Sequence, residues 1–276
     1  MDLEARLKRS GITVLGGIPE QLTILDPNGH GLRFIADLQD EFSERQRGLL
    51  ADRETRYQKF DNGEEPDFLP ETRHIREDKT WRVADIPDDL LYRWAELTGP
   101  ANIARMVAGA LNSGANTWMA DYEDALSPFW VHILANTFNL YNAITQQREF
   151  DPKTGSLKLN ENLATIITRP RGLHLPEAHM LVDGKPVSAT IFDLGMTHYI
   201  LTPEQLRRGQ TPSHYIPKME HYFESAFVAD VLTAISQESN IPKGTIKTSI
   251  LIENILATFQ VAEMLHAMKE YAIVAN

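Results

Sequence analysis

Residues 116–128, NTWMADYEDALSP, place three acidic side chains directly after a short apolar run. The run over residues 117–121 is bounded by polar and turn residues, which is typical of a short buried strand. In parallel α/β folds the residues that act lie at the carboxyl ends of strands, because the connecting loops converge there. Asp121, Glu123 and Asp124 are therefore candidates for a functional site.

Similar apolar runs recur further along the chain, with amphipathic helical patterns such as residues 222–236 and 256–269 between them. Short apolar strands that alternate with helices indicate a parallel sheet buried on both faces. We predict an α/β fold of the (β/α)8 TIM-barrel type, incomplete, with about five strands present. Two longer excursions, residues 144–160 and 182–210, are expected to be loops or small β insertions. The predicted strands after the first are residues 164–168, 214–216, 248–252 and 271–275.

The first hundred residues have a different character. Residues 32–60 are charged and helix-favouring, with apolar residues spaced for one face, so we predict a surface helix or a pair of helices there. The following stretch is rich in Pro, Gly, Asp and Glu, so we expect it to be extended and to wrap another part of the protein. We divide the chain into residues 1–100, a mainly helical clasp with a wrapping segment, and residues 101–276, a partial barrel.

Charged residues follow the next three strands as well. Arg169 and Arg171 follow the second strand, Lys218 the third and Glu253 the fourth. A single strand-terminal charge is more often a solvated strand end or part of a structural ion pair. Four successive strands with such ends favour a site for a metal and a small anionic substrate. Carboxylate oxygens suit Mg²⁺, and arginine suits a carboxylate or a developing enolate.

Composition excludes several classes of protein. The 38 Asp and Glu against 27 Lys and Arg give a net charge of -11, which disfavours nucleic acid and anionic membranes as partners. The chain has no cysteine, so thiolate metal sites and disulfides are excluded. His174, His179 and His221 lack metal-binding spacing and are interpreted as ordinary loop or helix residues. With no signal-like or membrane-spanning run, we predict a cytoplasmic protein.

Several segments resemble the A-type malate synthases, in the same order along the chain. They read LTGPANIARMVAGALNSGANTWMADYEDALSP, TRPRGLHLPEAH, YIPKME and IPKGTIKTSILIEN, with PDFLPETRHIRE and TWRVADIP before them. The resemblance covers residues 32–276. It implies a TIM barrel preceded by a helical clasp. It also implies a magnesium-dependent Claisen condensation of acetyl-CoA with glyoxylate, followed by hydrolysis of malyl-CoA to malate and CoA.

The resemblance also implies residue roles. Arg169 matches the catalytic arginine that holds glyoxylate and stabilises the enolate of acetyl-CoA. Glu253 matches a magnesium-ligating glutamate, and Glu123 with Asp124 match an acidic pair near the metal that acts through water. Glu123, Arg169 and Lys218 are the predicted substrate contacts. For Lys218, which lies in the matching PK motif, packing and substrate-channel electrostatics are equally compatible roles.

The chain departs from the family pattern at several points. Ala125 replaces a serine, NLYNA replaces NLRDA over residues 139–143, and residues 92–100 differ from DRRVEITGP. These losses of polar groups predict relaxed or altered function. The family pattern also continues beyond the fifth strand, with a second magnesium-ligating aspartate and a C-terminal domain that carries the catalytic base. We expect both aspartates to be absent from this chain.

Three interpretations follow. The chain is an acyltransferase completed by a second chain or a further segment; or a noncatalytic remnant or interaction module; or a related lyase that cleaves acyl-CoA esters.

Overall fold

The computed structural model describes residues 3–145 and 158–276. The part before the main sheet is mainly helical and also contains one short strand and two single 3-10 turns. Its elements are α1 (Leu3–Arg9), β1 (Ile12–Val14), α2 (Glu20–Leu25), α3 (His30–Asp61), the turn Pro70–Thr72, α4 (Arg73–Glu77) and the turn Asp88–Leu90.

The rest of the described chain alternates strands and helices. Its elements are β2 (Glu96–Gly99), α5 (Ala104–Leu111), β3 (Thr117–Asp121), α6 (Trp130–Ile144), β4 (Thr165–Arg169), β5 (Pro176–Val182), β6 (Lys185–Ser188), α7 (Ala189–Ile200), α8 (Thr202–Arg207), β7 (Ser213–Ile216), α9 (Tyr222–Glu238), β8 (Lys247–Ile250), α10 (Ile255–Thr258), α11 (Val261–Ala267) and β9 (Ala272–Ala275).

Six parallel strands form the central sheet, in the order β2-β3-β4-β7-β8-β9. All five residues of β3 and all four of β7 are buried, as expected for strands covered on both faces. The sheet is open, with β2 and β9 at its edges in the described part of the chain. The predicted incomplete TIM-barrel type is therefore confirmed, with one strand more than the five that we expected.

The additional strand is β2. Its sequence, ELTG, has no apolar run, and three of its four residues are exposed. An edge strand with exposed residues gives no hydrophobic signal, which is why the apolar pattern missed it. Because β2 pairs with β3, it lies in the same sheet as the strands of residues 101–276. The division at residue 100 remains a proposal.

The prediction for residues 182–210 was wrong in part. A β-hairpin is present, since β5 pairs with β6 and also with β1, but α7 and α8 follow it. All residues of α7 except Tyr199 are buried, so its sequence lacks the amphipathic period that reveals a surface helix. The helix predicted over residues 256–269 is split into α10 and α11. Of residues 144–160, positions 146–157 lie outside the described part of the chain.

The apolar residues on the inner face of the curved sheet and those on its outer face form two separate hydrophobic cores. Helices α3, α7 and α9 pack together as part of the outer layer. The smaller cluster brings Leu90, from the second 3-10 turn, into contact with inward-facing residues of four strands: Met119, Ile167, Tyr215 and Ile273. The segment between α3 and β2 thus contributes a side chain to the sheet's interior, and its wrapping role stays a prediction. In the described residues, no helix combines the length and apolar character needed to cross a membrane.

Candidate active site

A buried ion pair joins the carboxyl ends of β3 and β4. Asp121 and Arg169 are paired in register, and Arg169 Nε donates to Asp121 Oδ1 at 2.7 Å while Nη2 donates to Oδ2. The loop after β3 folds around the same carboxylate, because the amides of Glu123 and Ala125 donate to it at 2.8 and 2.9 Å. The Arg169 guanidinium is therefore held from one side by a fully hydrogen-bonded anion.

Asp124 lies at the exposed rim of this pair. Its Oδ2 is 3.1 Å from Arg169 Nη2 and 3.2 Å from Lys218 Nζ. Partial burial raises the pKa of Asp124, but the hydrogen bond from Lys218 and the charge of Arg169 outweigh it, so the pKa is lowered. Asp124 thus connects the ends of β4 and β7 as a carboxylate.

Glu123 lies deeper in the site. Its Oε1 accepts the amide of Gly172 at 3.0 Å, whereas Oε2 is buried and has no hydrogen-bond partner. The nearest cation to that oxygen in an ion pair is Lys218 Nζ, at 3.7 Å. Burial raises the pKa of Glu123 to about 6, although the charge of Lys218 opposes the shift.

Lys218 brings these carboxylates together. It follows β7 in a left-handed backbone conformation, with φ of 55°, which is uncommon outside glycine. Its amide donates to Glu253 Oε1 at 2.8 Å, and its carbonyl accepts from Arg53 at 2.7 Å. Lys218 Nζ lies 2.9 Å from Glu253 Oε2, so the ammonium stands among the three predicted acidic residues.

The predicted site residues are thus brought to one mouth of the sheet. Next to them is a cavity of about 270 Å³. It is lined by Arg53, His174, Lys218, Glu220, Glu253 and Asn254.

The donor chemistry of the site suits a hard cation such as Mg²⁺, which prefers carboxylate oxygens. The buried, unpaired Oε2 of Glu123 is the kind of atom that such an ion would satisfy. Among residues 3–145 and 158–276, however, no three acidic or histidine side chains are arranged to hold a metal ion as they stand. The ammonium of Lys218 lies between the carboxylates instead.

Sequence reasoning missed the contribution of α3. Arg53, on that helix, is buried and pairs with Glu224 at 2.8 Å and with Glu220 at 3.3 Å, in addition to its bond to Lys218. Tyr57, one turn further along, donates to Glu220 at 2.7 Å. A charged residue on a long helix normally indicates a solvated face, so the sequence carried no signal that Arg53 reaches the site.

Arg171, two residues after Arg169, takes a structural role. It is buried and pairs with Asp193 at 2.7 Å and with Glu177 at 2.9 Å, away from the carboxylates around Lys218. Glu177 in turn bonds His179 at 2.8 Å. Arg171 therefore matches the structural ion-pair interpretation, not the substrate-binding one.

His221 and His174, the other two histidines interpreted from the sequence as ordinary loop or helix residues, lie near the site. His221 accepts the amide of Phe223 and so caps α9, and burial lowers the pKa of His221 to about 4. His174 lines the cavity beside Lys218, and its partial burial lowers its pKa.

Parallel strands that pair in chain order and alternate with helices, with charged side chains gathered at their carboxyl ends, are the arrangement of the TIM-barrel type of α/β protein. Two domain models then match the chain: "Malate synthase, TIM barrel domain" over residues 165–276 and "Malate synthase, N-terminal domain" over residues 19–74. This chain belongs to the malate synthase family.

Individual relatives agree. The malate synthase of Myxococcus xanthus is 40% identical over 259 residues, which are 94% of this chain and 47% of the relative. The glyoxysomal malate synthase of Candida tropicalis is 38% identical, over 98% of this chain and 49% of its own. Malate synthase A of Escherichia coli is 36% identical, over 89% of this chain and 46% of its own. The chain spans about half the length of these curated relatives.

Proposed function

We propose that this chain supplies the magnesium and glyoxylate site of a malate synthase, which joins acetyl-CoA and glyoxylate to give malate and CoA. The observation that carries the proposal is the meeting of Arg169, Lys218 and three carboxylates at the ends of four successive parallel strands. The family membership of the chain supports the same reaction.

Arg169 is the proposed catalytic residue. Its Nε and Nη2 are occupied by Asp121 and Asp124, and its Nη1 has no hydrogen bond to any residue in 3–145 or 158–276. That group is available to a glyoxylate oxygen or to the enolate oxygen of acetyl-CoA. Because the ion pair with Asp121 holds the guanidinium in advance, little reorganisation is needed as negative charge develops.

The condensation forms a bond between the acetyl methyl carbon and the aldehyde carbon of glyoxylate, after the methyl group has lost a proton. Water then cleaves the thioester of malyl-CoA and releases CoA. We assign no residue of the described part of the chain to removal of the methyl proton. Direct contacts of Glu123 and Lys218 with substrate stay predictions.

Glu253, Glu123 and Asp124 are the residues proposed to hold Mg²⁺, the latter two through water. When bound, the ion would polarise the substrate oxygens and offset the charge of the carboxylates. The protein's own contribution is to fix one oxygen of each glutamate, through the amides of Gly172 and Lys218.

We propose further that a second chain or segment pairs with β2 and β9. Unpaired strand edges expose backbone groups that favour pairing with another strand; on β9 one such group is already bonded, because Ala272 O accepts the amide of Ala84 at 3.0 Å. Next to β2, Trp94 is 88% exposed and stacks edge-on against the exposed Tyr92, which is a large apolar surface to leave in water. A cytoplasmic location stays a prediction.

The first test is calorimetric binding of glyoxylate in the presence of MgCl₂, followed by CoA release from acetyl-CoA. We expect Arg169→Gln to lose glyoxylate binding and to lower any CoA release by about 10²-fold or more, the usual scale for loss of a charge-stabilising donor. Arg105→Gln, at an exposed position on α5, is the matched control and should behave as the wild type.

Glyoxylate binding that survives in Arg169→Gln would overturn the assignment. Cleavage of malyl-CoA without condensation would identify the related lyase, and absence of glyoxylate binding in the folded wild type would favour the noncatalytic interpretation.

A further inference from the structure

The two glutamates of the site share one arrangement. In each, Oε1 accepts a backbone amide, from Gly172 for Glu123 and from Lys218 for Glu253. In each, Oε2 is directed at the Lys218 ammonium, at 3.7 Å from Glu123 and 2.9 Å from Glu253. The fold thus fixes one oxygen of each carboxylate and presents the other to a cation at a common point.

The lysine at that point is itself held by the fold. Its left-handed backbone is secured on both sides, by the bond from its amide to Glu253 and by the bond from Arg53 to its carbonyl. Strained conformations of this kind persist where the surroundings determine them, often at functional sites. Arg53, on α3, is therefore a positioning residue for the lysine.

Lys218 does not satisfy the site completely. Glu123 Oε2 remains buried without a hydrogen bond, since 3.7 Å is too long for one. The charges are also unbalanced, because within residues 3–145 and 158–276 the carboxylates of Asp121, Glu123, Asp124 and Glu253 form ion pairs with Arg169 and Lys218 alone. Four carboxylates against two cations leave two negative charges, which a divalent ion would neutralise.

We infer that the Lys218 ammonium occupies the position of the divalent cation in the metal-free protein, and that lysine and metal compete for it. Oε2 is the oxygen of Glu253 that accepts no backbone amide, and a Mg²⁺ ion bound to it would take the place of the ammonium, which lies 2.9 Å away. The lysine side chain is 31% exposed and borders the cavity of about 270 Å³, so it has space to withdraw. The inference rests on the proposed metal site.

The test is calorimetric titration of MgCl₂ into the full chain and three variants. If an ammonium competes with the metal, Lys218→Met should bind Mg²⁺ at least about fivefold more tightly, the lower range of typical coupling between ligands. Lys243→Met removes one positive charge from an exposed pair with Glu270 and should bind as the wild type does. Glu253→Gln should lose binding.

The outcomes separate the two proposals. Unchanged or weaker binding by Lys218→Met, with loss in Glu253→Gln, would overturn competition and leave the metal site standing. No Mg²⁺ binding by either the wild type or Lys218→Met would overturn both.

A second measurement needs no variant of the lysine. Acylation of amines in the wild type, followed by peptide mass spectrometry, should show faster modification of Lys218 when MgCl₂ is added, because the released ammonium enters solvent. Lys243 provides the internal reference, with no change expected. Saturating Mg²⁺ without any increase at Lys218 would show that lysine and metal bind side by side, contrary to the inference.

Discussion

Asp121 and Arg169 lie opposite each other at the ends of two neighbouring parallel strands, and the arginine donates two hydrogen bonds to the carboxylate. The carboxylate also accepts two backbone amides from the loop that carries Glu123 and Ala125. One buried anion therefore determines both the direction of the arginine and the path of the acidic loop.

Asp121→Asn should destabilise the protein strongly. The neutral asparagine side chain leaves the buried guanidinium of Arg169 without its partner charge, which typically costs about 3–5 kcal/mol in the free energy of unfolding. Urea unfolding would measure the loss. Asp124→Asn is the matched control, since Asp124 contacts the same Arg169 but its side chain is 56% exposed against 0% for Asp121. We expect the control to lose less than about 1 kcal/mol. Equal losses in the two variants would contradict this account of the pair.

Arg171→Met should also reduce stability, for a reason independent of the active site. It would leave the buried carboxylates of Asp193 and Glu177 without a cation, again about 3–5 kcal/mol in the free energy of unfolding. Arg207→Met, which breaks only the exposed pair with Glu204, should have the same midpoint of urea unfolding as the wild type. A similar midpoint for Arg171→Met and the wild type would refute a structural role for Arg171.

Two helical glycines should respond to alanine in opposite directions. At Gly195, on α7, an added Cβ would lie 2.7 Å from Ile35 Cγ1 of α3. Overpacking of this kind costs about 1–3 kcal/mol. At Gly109, on α5, nothing lies within 4 Å of an added Cβ, so alanine should stabilise the helix by up to about 1 kcal/mol. Thermal unfolding of both variants tests the close contact between α3 and α7; a rise in melting temperature for Gly195→Ala would argue against it.

Acid should destabilise the fold through the buried histidine pair. His198 and His214 are 2.7 Å apart between their Nε2 atoms, and each Nδ1 is bonded to a threonine. Burial lowers the pKa of His214 to about 3 and that of His198 well below its usual value. Below pH about 6.5 the two histidines take up protons in the unfolded chain but stay neutral in the folded protein. Their contribution to the free energy of unfolding is therefore fully present above that pH and is lost as the pH falls.

The pair should account for about 4 kcal/mol of the stability lost between pH 7.5 and pH 5.0, measured by urea unfolding. His214→Gln should remove about half of that loss. The raised pKa of Glu123 has the opposite effect, since it adds stability as the pH falls from about 6 to 4.5. Glu123 is present in both the wild type and His214→Gln, so its effect cancels when the two are compared. The same pH dependence in the variant and the wild type would show that the pair does not resist protonation.

The sequence by itself determined the positions of five strands, the helical character of residues 32–60 and the residues gathered at the mouth; that those helical residues form the one long helix α3 is seen only in the structure. Apolar runs mark strands that are buried on both faces, and residues at the ends of parallel strands must meet at one edge of the sheet. For that reason Glu123, Asp124, Arg169, Lys218 and Glu253 could be predicted to lie together from their order along the chain alone.

Only the tertiary structure decided the rest. The exposed edge strand β2 and the fully buried helix α7 lack the periodic pattern that reveals such elements. Arg169 and Arg171 are two residues apart, yet one faces the carboxylates of the mouth and the other a buried structural pair. Arg53 bonds a residue 165 positions away. Such partners depend on how helices and loops pack in space, and a linear pattern carries no record of that packing.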